Sequence, residues 1–430
     1  MRSRIARRGI ALVGNLEATE AGIVGGATWT NWVGNQTCHP AAVLRPRDEG
    51  EVVAGVRDAI AAGRNVRVAA TGHSFTPVCL TDGVVLELAD LAGVPDADPE
   101  RRRATALAGT SVGAFGEPLW EAGLALANQG DIDTQQIGGA IGTGTHGSGI
   151  RLGSFSSTLR RARIVTGTGE VIDVSESTPE LLHAAQVAVG MLGVMTEVEL
   201  AVASAYRIRE RILHLPYADV AERWDELVNA HRHFSFFWIP VDGSGALYGL
   251  ETPEGAPDGD TCYVKIYDEV APDEPDDATP LARVDRSYRI YPAVFEPNFH
   301  ELEYFVPIGD GPTAVAAMRE LMLASQPDAR FPMEVRTVAA DDAFLSSQHG
   351  TATTVISVSG VPGMDYWGYL RDVDRLLGEF GARVHWGKLH FLTHEQLLAR
   401  YPAAETFIRI RRELDPAGIF LNDHLRPLFA

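Results

Sequence analysis

The stretch Ala69-Ala70-Thr71-Gly72-His73-Ser74-Phe75 sets a glycine and a histidine directly after a short run of strand character, Val66-Arg67-Val68. We expect a tight loop at the end of a buried strand. A second run, at 138–149, holds six glycines in twelve residues. Glycine lets a backbone approach a ligand closely, and free N–H groups in such a loop bind pyrophosphate oxygens without a basic side chain. The two loops predict a cradle for one phosphate-bearing cofactor.

Neither loop is specific on its own. The run at 138–149 does not fit the Rossmann fingerprint, and no Gly-Lys-Ser/Thr follows it as in a P-loop. A glycine-rich surface loop is the alternative interpretation. A lone loop histidine such as His73 is more often structural or exposed than functional, but its place between Gly72 and Ser74, after a buried strand, favours a role in a site.

Composition excludes several classes of protein. The chain has 430 residues, enough for two or three domains, and a formal net charge of −20. That charge argues against nucleic acid or an anionic membrane surface as partner. No apolar run approaches the length of a membrane span. Three widely spaced cysteines, Cys38, Cys79 and Cys262, favour reduced thiols in the cytoplasm and offer no metal-binding spacing.

Strand and helix signals alternate from 29 to about 204 and predict a first, cofactor-binding domain. Within it, the four-residue spacing of Val52, Val56 and Ile60 predicts an amphipathic helix. A second helix is predicted from Pro179 to near Gly190. Residues 1–28 are predicted to be a mobile extension; their basic start would also suit an export signal, although the apolar run is very short.

Residues 205–430 differ in character and predict a second α+β domain with a mainly antiparallel sheet. A surface excursion rich in Pro, Gly, Asp and Glu spans 250–280. The predicted strands are 234–239, 262–267, 301–306, 335–338 and 353–358, and the predicted helices are 313–325 and 366–380.

Several motifs occur in the order found in one family. They are Thr71-Gly72-His73-Ser74-Phe75, the run 142–149, Leu192-Gly193-Val194-Met195-Thr196, the runs 301–307 and 334–341, His385-Trp386-Gly387-Lys388 and the tail 415–420. In these motifs the chain, from about residue 30 onward, resembles the vanillyl-alcohol-oxidase type of flavoprotein, and within it the sugar-1,4-lactone oxidase and alditol oxidase group. The resemblance implies an α+β, two-domain fold: a PCMH-type FAD-binding domain, and an antiparallel-sheet domain that covers the flavin, with the C-terminal segment returning to it.

The resemblance also implies FAD as cofactor. In relatives with the Gly-His-Ser loop the histidine is bonded covalently to the flavin 8α-methyl, and His73 occupies that position. His146 would belong to the fold of the loop and would not be a base. The residues implied in cofactor binding are Ala70, Thr71, Gly72, His73, Ser74, Phe75, Asp131, Gln136, Gly139, Ala140, Ile141, Gly142, Thr143, His146, Val194 and Met195.

Glu334, Arg336 and Lys388 match the substrate-contacting group of the alditol oxidases. Glu334 and Arg336 lie two apart on a predicted strand, so both face one side and offer a polyol an acceptor and donors. Lys388 would be less basic through burial, or cationic beside a forming alkoxide. Without the resemblance, Arg336 would be interpreted as a salt-bridge partner of Glu334, and Lys388 as a surface lysine.

Three further residues are weaker candidates for substrate binding. Asp131 lies near the cofactor run, and Ser359 is placed only by counting along a strand. His390 would reach the site with Lys388 if the two share a strand face. No group of residues has convincing metal-ligand spacing, and no metal is expected.

Taken together, these features indicate an FAD-dependent oxidoreductase that oxidises a CH–OH group by hydride transfer to flavin N5. Arg336 and Lys388 would stabilise the alkoxide or accept the hydroxyl proton, and Glu334 would orient the hydroxyls. The runs 301–304 and 385–390 favour an aldono-1,4-lactone such as a gulono-, galactono- or arabinonolactone. The alternatives are an alditol oxidised at a terminal hydroxyl and, more distantly, a flavin-binding protein without turnover. The electron acceptor, O2 or another, stays open.

Overall fold

The computed structural model describes residues 28–251, 259–293, 298–325 and 329–430. Residues 1–27, almost all of the predicted extension, lie outside this range. In the described part, no helix has both the length and the apolar character needed to cross a membrane.

The first half of the chain carries twelve short strands and four helices. The strands are β1 Trp29–Thr30, β2 Thr37–Cys38, β3 Ala42–Leu44, β4 Val66–Ala69, β5 Val84–Glu87, β6 Asp96–Asp98, β7 Arg103–Leu107, β8 Leu124–Ala125, β9 Leu159–Val165, β10 Val171–Ser175, β11 Val194–Ala201 and β12 Ala203–Ser204. The helices are α1 Glu49–Ala61, α2 Val112–Glu121, α3 Ile137–Thr143 and α4 Pro179–Gln186. A parallel sheet has the order β3-β5-β4, and an antiparallel sheet has the order β10-β9-β11-β7-β6.

The second half forms one large sheet flanked by helices. Its strands are β13 Arg207–Pro216, β14 His233–Ile239, β15 Thr261–Val270, β16 Val284–Arg286, β17 His300–Pro307, β18 Met333–Val338, β19 Thr353–Gly360 and β20 Arg383–Val384. Its helices are α5 Tyr217–Glu222, α6 Trp224–Ala230, α7 Ser287–Ile290, α8 Gly311–Ala324, α9 Trp367–Gly378, α10 His394–Arg400, α11 Ala404–Leu414 and α12 Arg426–Phe429. The eight strands pair antiparallel in the order β16-β13-β15-β14-β18-β19-β17-β20. The prediction of an α+β chain with an antiparallel second sheet is confirmed.

Local sequence explains most of these elements. Strand β11 alternates buried and half-buried residues along its whole length, which is the period of a strand with one face in the core. Helix α1 begins after Asp48, whose side chain accepts from Glu51 N at 2.8 Å. Val52 and Val56 are buried as predicted, but Ile60 is exposed. Two steps of four residues advance about 80° beyond whole turns, which carries Ile60 off the core face.

Two predictions of local structure are wrong. Residues 137–143 form the short helix α3 rather than a loop, although glycine disfavours helices. Backbone partners outside the helix hold its start: Ile137 N donates to Thr110 O at 2.8 Å and Gly138 N to Ala108 O at 3.0 Å. Helix α4 ends at Gln186, because the backbone of Val187 leaves helical geometry with φ −138° and ψ 87°.

The C-terminal segment returns to the first half of the chain. Ile419 and Phe420 are buried in the core beside α1 and the parallel sheet, and Ile419 O accepts from Val66 N at 2.8 Å. The buried guanidinium of Arg67 donates to carbonyls of three separate segments, Val78 at 2.6 Å, Val189 at 2.8 Å and Phe420. One side chain of β4 thereby ties the tail to the first sheet.

Candidate active site

A large cavity that opens to solvent lies between the first half of the chain and the large sheet. Of the residues predicted for cofactor or substrate, those that line it are Ala70, Thr71, Gly72, His73, Ser74, Phe75, Asp131, Gln136, Gly139, Ala140, Gly142, Thr143, His146, Met195, Glu334, Arg336 and Lys388. The segments expected to bind the cofactor and the side chains expected to bind the substrate therefore face the same cavity.

Glycines bring the cavity walls close to whatever occupies it. A Cβ at Gly139 would lie 3.1 Å from Ala70 Cβ, so α3 and the loop that carries His73 pack too tightly for a side chain there. A Cβ at Gly142 would meet nothing within 4 Å, and that helix position faces open space in the cavity. The buried Gln135 Oε1, also at this wall, has no protein partner. Such a wall fits a ligand bound by backbone and amide groups.

The loop 69–75 is fixed from both halves of the chain. Trp32 N donates to Gly72 O at 2.9 Å, and Asn31 Nδ2 donates to Ser74 O at 2.9 Å. From the other side, Phe75 N donates to Gly387 O at 2.7 Å. Gly72 has a φ of +71° and its Cβ would lie 3.3 Å from Asn31 Cα, so the turn requires glycine. The loop therefore presents His73 in a fixed position.

The imidazole of His73 is held and largely desolvated. Its Nδ1 lies 2.9 Å from Thr71 Oγ1, and its ring stacks on Trp32 with centroids 5.2 Å apart. Burial, reinforced by the charge of Lys388, lowers the pKa of His73 to about 4. The ring is therefore neutral near pH 7, and a ring nitrogen keeps a lone pair for bonding.

Charged side chains alternate in sign at the far end of the cavity. Arg336 Nε donates to Glu334 Oε1 at 2.8 Å, and its Nη2 donates to Asp131 Oδ2 at 3.2 Å. Strand β18 places Glu334 and Arg336 on one face, as predicted, while Asp131 arrives from the first half of the chain. Behind them, Lys265 Nζ lies 3.0 and 3.1 Å from the two oxygens of Asp131.

Burial and charge act on these carboxyl groups in opposite directions. Burial raises the pKa of Glu334 to about 7, although Arg336 opposes the shift. Asp131 is also deeply buried, but Lys265 and Arg336 together outweigh burial and hold its pKa below the ordinary value. The site thus keeps one carboxylate firmly ionised and another that titrates near neutral pH.

Lys388 is positioned by strand β17. The segment that carries it runs beside that strand, where Leu389 N donates to Glu301 O at 2.8 Å. The ammonium group pairs with the Glu301 carboxylate and lies 5.1 Å from the centre of the Phe75 ring. This lysine therefore reaches the cavity beside the His73 loop as half of an ion pair.

His146, Glu303 and His385 form a second buried group at the cavity. His146 Nε2 lies 2.6 Å from Glu303 Oε1, and its Nδ1 lies 2.8 Å from Gly147 O. Gly387 N donates to His385 Nδ1 at 3.0 Å. The ligand atoms of the three residues lie within 4.8 Å of one another, as a metal site would need. However, three of the four ring nitrogens of His146 and His385 already have hydrogen-bond partners inside the protein.

Four predicted residues do not line the cavity. Ile141 and Val194 point into the core. The Ser359 hydroxyl lies 2.7 Å from the hydroxyl of Tyr248, which does line it, so Ser359 stands one residue away. His390 packs against Trp386 and His424, and neither of its ring nitrogens has a protein partner.

The prediction that Lys388 and His390 share a strand face is wrong. Residues 386–388 form a turn, with Lys388 N donating to His385 O at 3.0 Å. After this turn Lys388 pairs with Glu301 at the cavity, whereas His390 packs against Trp386 and His424, so the two side chains have different surroundings.

Three residues of the site were not predicted from the sequence, namely Glu301, Glu303 and Lys265. Glu301 and Glu303 lie two apart on β17 and share its buried face, and a paired carboxylate pattern in an otherwise apolar strand was the available signal. Lys265 offered none, since its partner Asp131 lies 134 residues away.

The fold and the motifs have known counterparts. A family profile described as "FAD binding domain" matches residues 40–175, and one described as "D-arabinono-1,4-lactone oxidase" matches residues 276–428. Cholesterol oxidase from B. sterolicum superposes with a TM-score of 0.80, covering 94% of this chain and 96% of that one at 14% identity, which shows a shared fold alone. This confirms the predicted two-part FAD-binding architecture.

Full-length relatives are also found among characterised enzymes. The L-gulono-1,4-lactone dehydrogenase of Mycobacterium tuberculosis is 33% identical over 93% of this chain and 98% of its own length. The alditol oxidase of a Streptomyces species is 27% identical over 93% of this chain and 98% of its own length. With an FAD-binding domain, a lactone-oxidase domain and 33% identity over 93% of its length, the chain belongs to the family of FAD-dependent sugar-lactone and alditol oxidoreductases.

Proposed function

We propose that the protein oxidises a CH–OH group of an aldono-1,4-lactone, with a gulono-, galactono- or arabinonolactone as substrate. The observation that carries the proposal is the array of Glu334, Arg336 and Lys388 at the polar end of a cavity whose other walls suit FAD. A neutral, hydroxyl-rich substrate needs acceptors and donors in one place, and this array supplies both.

The cofactor would occupy the glycine-lined part of the cavity. Backbone and side chains of 70–75, 136–143 and 188–195 would hold it, since these segments form the walls there. FAD supplies the hydride acceptor when it is bound. The remaining chemistry falls to the side chains at the polar end.

Each polar side chain has a distinct proposed role. Glu334 accepts a hydrogen bond from the reacting hydroxyl and is suited to take its proton, because a carboxyl group with a pKa near 7 is matched to proton transfer near neutral pH. Arg336 and Lys388 stabilise negative charge on the substrate oxygen. Both cations are already paired, with Glu334 and Glu301, so they are oriented before the substrate arrives.

We further propose that FAD is attached covalently through His73. A neutral imidazole can act as a nucleophile, whereas an imidazolium cannot, and the surroundings of His73 favour the neutral form. The fixed loop and the stack on Trp32 hold the ring in one orientation. We propose a cytoplasmic location on the ground that all three cysteines are unpaired.

An alditol oxidised at a terminal hydroxyl is the second candidate. The same three side chains suit an open-chain polyol, and one full-length relative is named as an alditol oxidase. The names of the relatives differ on the electron acceptor, since one is a dehydrogenase and the other an oxidase, so O2 and another acceptor are both retained.

The test is reduction of the bound flavin without oxygen. Purified protein is mixed anaerobically with aldonolactones and, separately, with alditols, and the flavin absorbance is followed. We expect rapid bleaching with a lactone, and loss of bleaching without loss of flavin in Arg336→Met. Bleaching by alditols alone would favour the second candidate. Flavin that stays oxidised with every compound would favour a flavin-binding protein without turnover.

A further inference from the structure

Lys265 lies next to the candidate site, and none of the roles proposed above belongs to it. It projects from β15, and its ammonium group contacts both carboxylate oxygens of Asp131 at 3.0 and 3.1 Å. The side chain is 11% exposed. A buried cation is costly to desolvate unless a charge partner offsets the cost, and here Asp131 is that partner.

Lys265 does not line the cavity that holds the candidate site. A second, much smaller cavity adjoins the first, and Asp131 and Arg336 line both. Lys265 lines only the second. Three successive ion pairs therefore link four side chains in a row, and the sign of the charge alternates along it: Lys265, Asp131, Arg336, Glu334.

Composition adds an independent observation. The chain has 37 basic residues, of which only Lys265 and Lys388 are lysines. Both are partly or fully buried, and both pair with a carboxylate at the same site. Arginine is used everywhere else, so a compact ammonium group is retained only here.

We propose that Lys265 is a positioning residue that acts through Asp131. Because Lys265 pairs with the Asp131 carboxylate, Arg336 stays directed at Glu334 and the substrate and is not drawn towards Asp131. Without Lys265, Asp131 has Arg336 as its remaining cation, so the two carboxylates compete for one guanidinium. The expected result is a weaker Arg336–Glu334 pair and a less ordered site.

The test combines a mutant cycle with a titration. The variants are Lys265→Met, Lys265→Arg, Asp131→Asn and the double variant Lys265→Met/Asp131→Asn. We expect Lys265→Met to lower kcat/KM by about 10–100-fold, the range seen when a partner of a site residue is lost. The fall of kcat/KM on the acid side of the pH profile, the acid limb, should lie at higher pH in Lys265→Met than in the wild type. The reason is that loss of the Lys265 cation raises the pKa of Glu334. Lys265→Arg should restore the acid limb through its charge.

The double variant decides whether Lys265 acts through Asp131. The double variant should be no more impaired than Asp131→Asn alone, since Lys265 then has nothing left to position. This comparison does not need Lys265→Met to fold. Asp131→Asn leaves the Lys265 ammonium group without its carboxylate, so the melting temperatures of Asp131→Asn and of the double variant are measured to show that both are folded. Additive losses would overturn the proposal.

The kinetic readouts rest on the proposed function, so one readout is independent of turnover. The infrared band of the protonated Glu334 carboxyl group, identified by its loss in Glu334→Gln, is followed against pH. In Lys265→Met the band should persist to higher pH than in the wild type. If the infrared band shifts in Lys265→Met but no substrate is oxidised, the positioning role of Lys265 stands and only the proposed function is overturned.

A matched control separates positioning from stability. Arg283 pairs with the buried Glu210 on neighbouring β13 at 2.8 Å and does not line either cavity. Arg283→Met should lower the melting temperature and leave the pH profile and the infrared band unchanged. A Lys265→Met variant that behaves in the same way would overturn the proposal, because Lys265 would then be purely structural.

Discussion

Asp131 Oδ2 lies 3.2 Å from Arg336 Nη2, so a carboxylate from the first half of the chain holds a guanidinium of the large sheet. Arg336 and Asp131 are mostly shielded from solvent, with 16% and 12% of their side-chain surface exposed, and Arg336 bonds Glu334 with the same nitrogen at 2.6 Å. The contact makes the polar end of the cavity depend on both halves of the molecule.

Replacing Asp131 tests this contact. We expect Asp131→Asn to lower kcat/KM by about 10–100-fold, since an amide holds Arg336 and Lys265 less firmly than a carboxylate. Flavin content should be retained, because both carboxylate oxygens are engaged by cations rather than free for a cofactor. Steady-state kinetics and the ratio of flavin to protein absorbance measure the two effects. A variant that loses flavin instead would assign Asp131 to cofactor binding.

Glu334 predicts the pH dependence of activity. Its pKa of about 7 means that the carboxyl group becomes protonated, and stops accepting hydrogen bonds, as the pH falls below neutral. We expect kcat/KM to fall on that acid limb. Glu334→Gln should lose about 10²–10⁴-fold in rate and lack the limb. A limb that survives in Glu334→Gln would belong to another group.

Stability should depend on pH in the opposite direction. The pKa of Glu334 is raised from an ordinary value of 4.5 to about 7 in the folded protein. The folded protein therefore keeps a proton that the unfolded chain releases, so this stabilisation is fully present below pH 4.5 and is lost as the pH rises through 7. Chemical denaturation across this range should show a flatter dependence in Glu334→Gln than in the wild type.

The site should discriminate against the open, anionic form of a lactone substrate. Four carboxyl groups line the cavity, namely Asp131, Glu301, Glu303 and Glu334, and Lys388 and Arg336 are both committed to them. An aldonate would meet like charges beside cations that are already paired, so we expect it to bind about 100-fold more weakly than the lactone. Inhibition constants at a pH where the lactone is stable provide the measurement.

Glu301→Gln tests the cause of this discrimination. The substitution removes the charge partner of Lys388, so the aldonate should bind about tenfold more tightly than in the wild type. Glu117→Gln, which loses an exposed partner of Arg286, serves as the control and should change nothing. Equal binding of lactone and aldonate in the wild type would contradict the expectation.

His73→Ala tests the covalent link. Acid precipitation of the wild type should leave the flavin with the polypeptide, as a fluorescent band on a denaturing gel, because a histidine nitrogen bonded to the flavin survives unfolding. His73→Ala should release the flavin to the supernatant, whereas the exposed His39→Ala should not. Release from the wild type would mean a non-covalent cofactor, and no flavin in either fraction would contradict FAD binding itself.

Residues with a strong local pattern were predictable from the sequence. Strand β11 alternates through Val194, Thr196, Val198 and Leu200, and the structure buries that face. Glu334 and Arg336 were placed together for the same reason, and both line the cavity. The His73 loop followed from its glycine and its place after a strand.

Elements held by distant contacts were not predictable. Strand β13, Arg207–Pro216, is absent from the predicted strands, because the charged run Arg209-Glu210-Arg211 interrupts the alternation of polar and apolar residues. Its pairing with β15 supplies what the local pattern does not. The glycines of α3 disfavour a helix that tertiary hydrogen bonds enforce. The partners of Lys388 and Lys265 lie 87 and 134 residues away, a separation that no local pattern encodes.

The bonds of Arg67 have a consequence for the order of synthesis. The guanidinium belongs to a strand made early, but its partner Phe420 O follows 353 residues later. At about 5–20 residues per second, the ribosome needs roughly 20–70 s to supply that carbonyl. Until then, Ile419 and Phe420 are missing from the core beside the parallel sheet, and the Arg67 guanidinium lacks one of its carbonyl acceptors. We therefore expect cofactor loading to follow translation rather than accompany it.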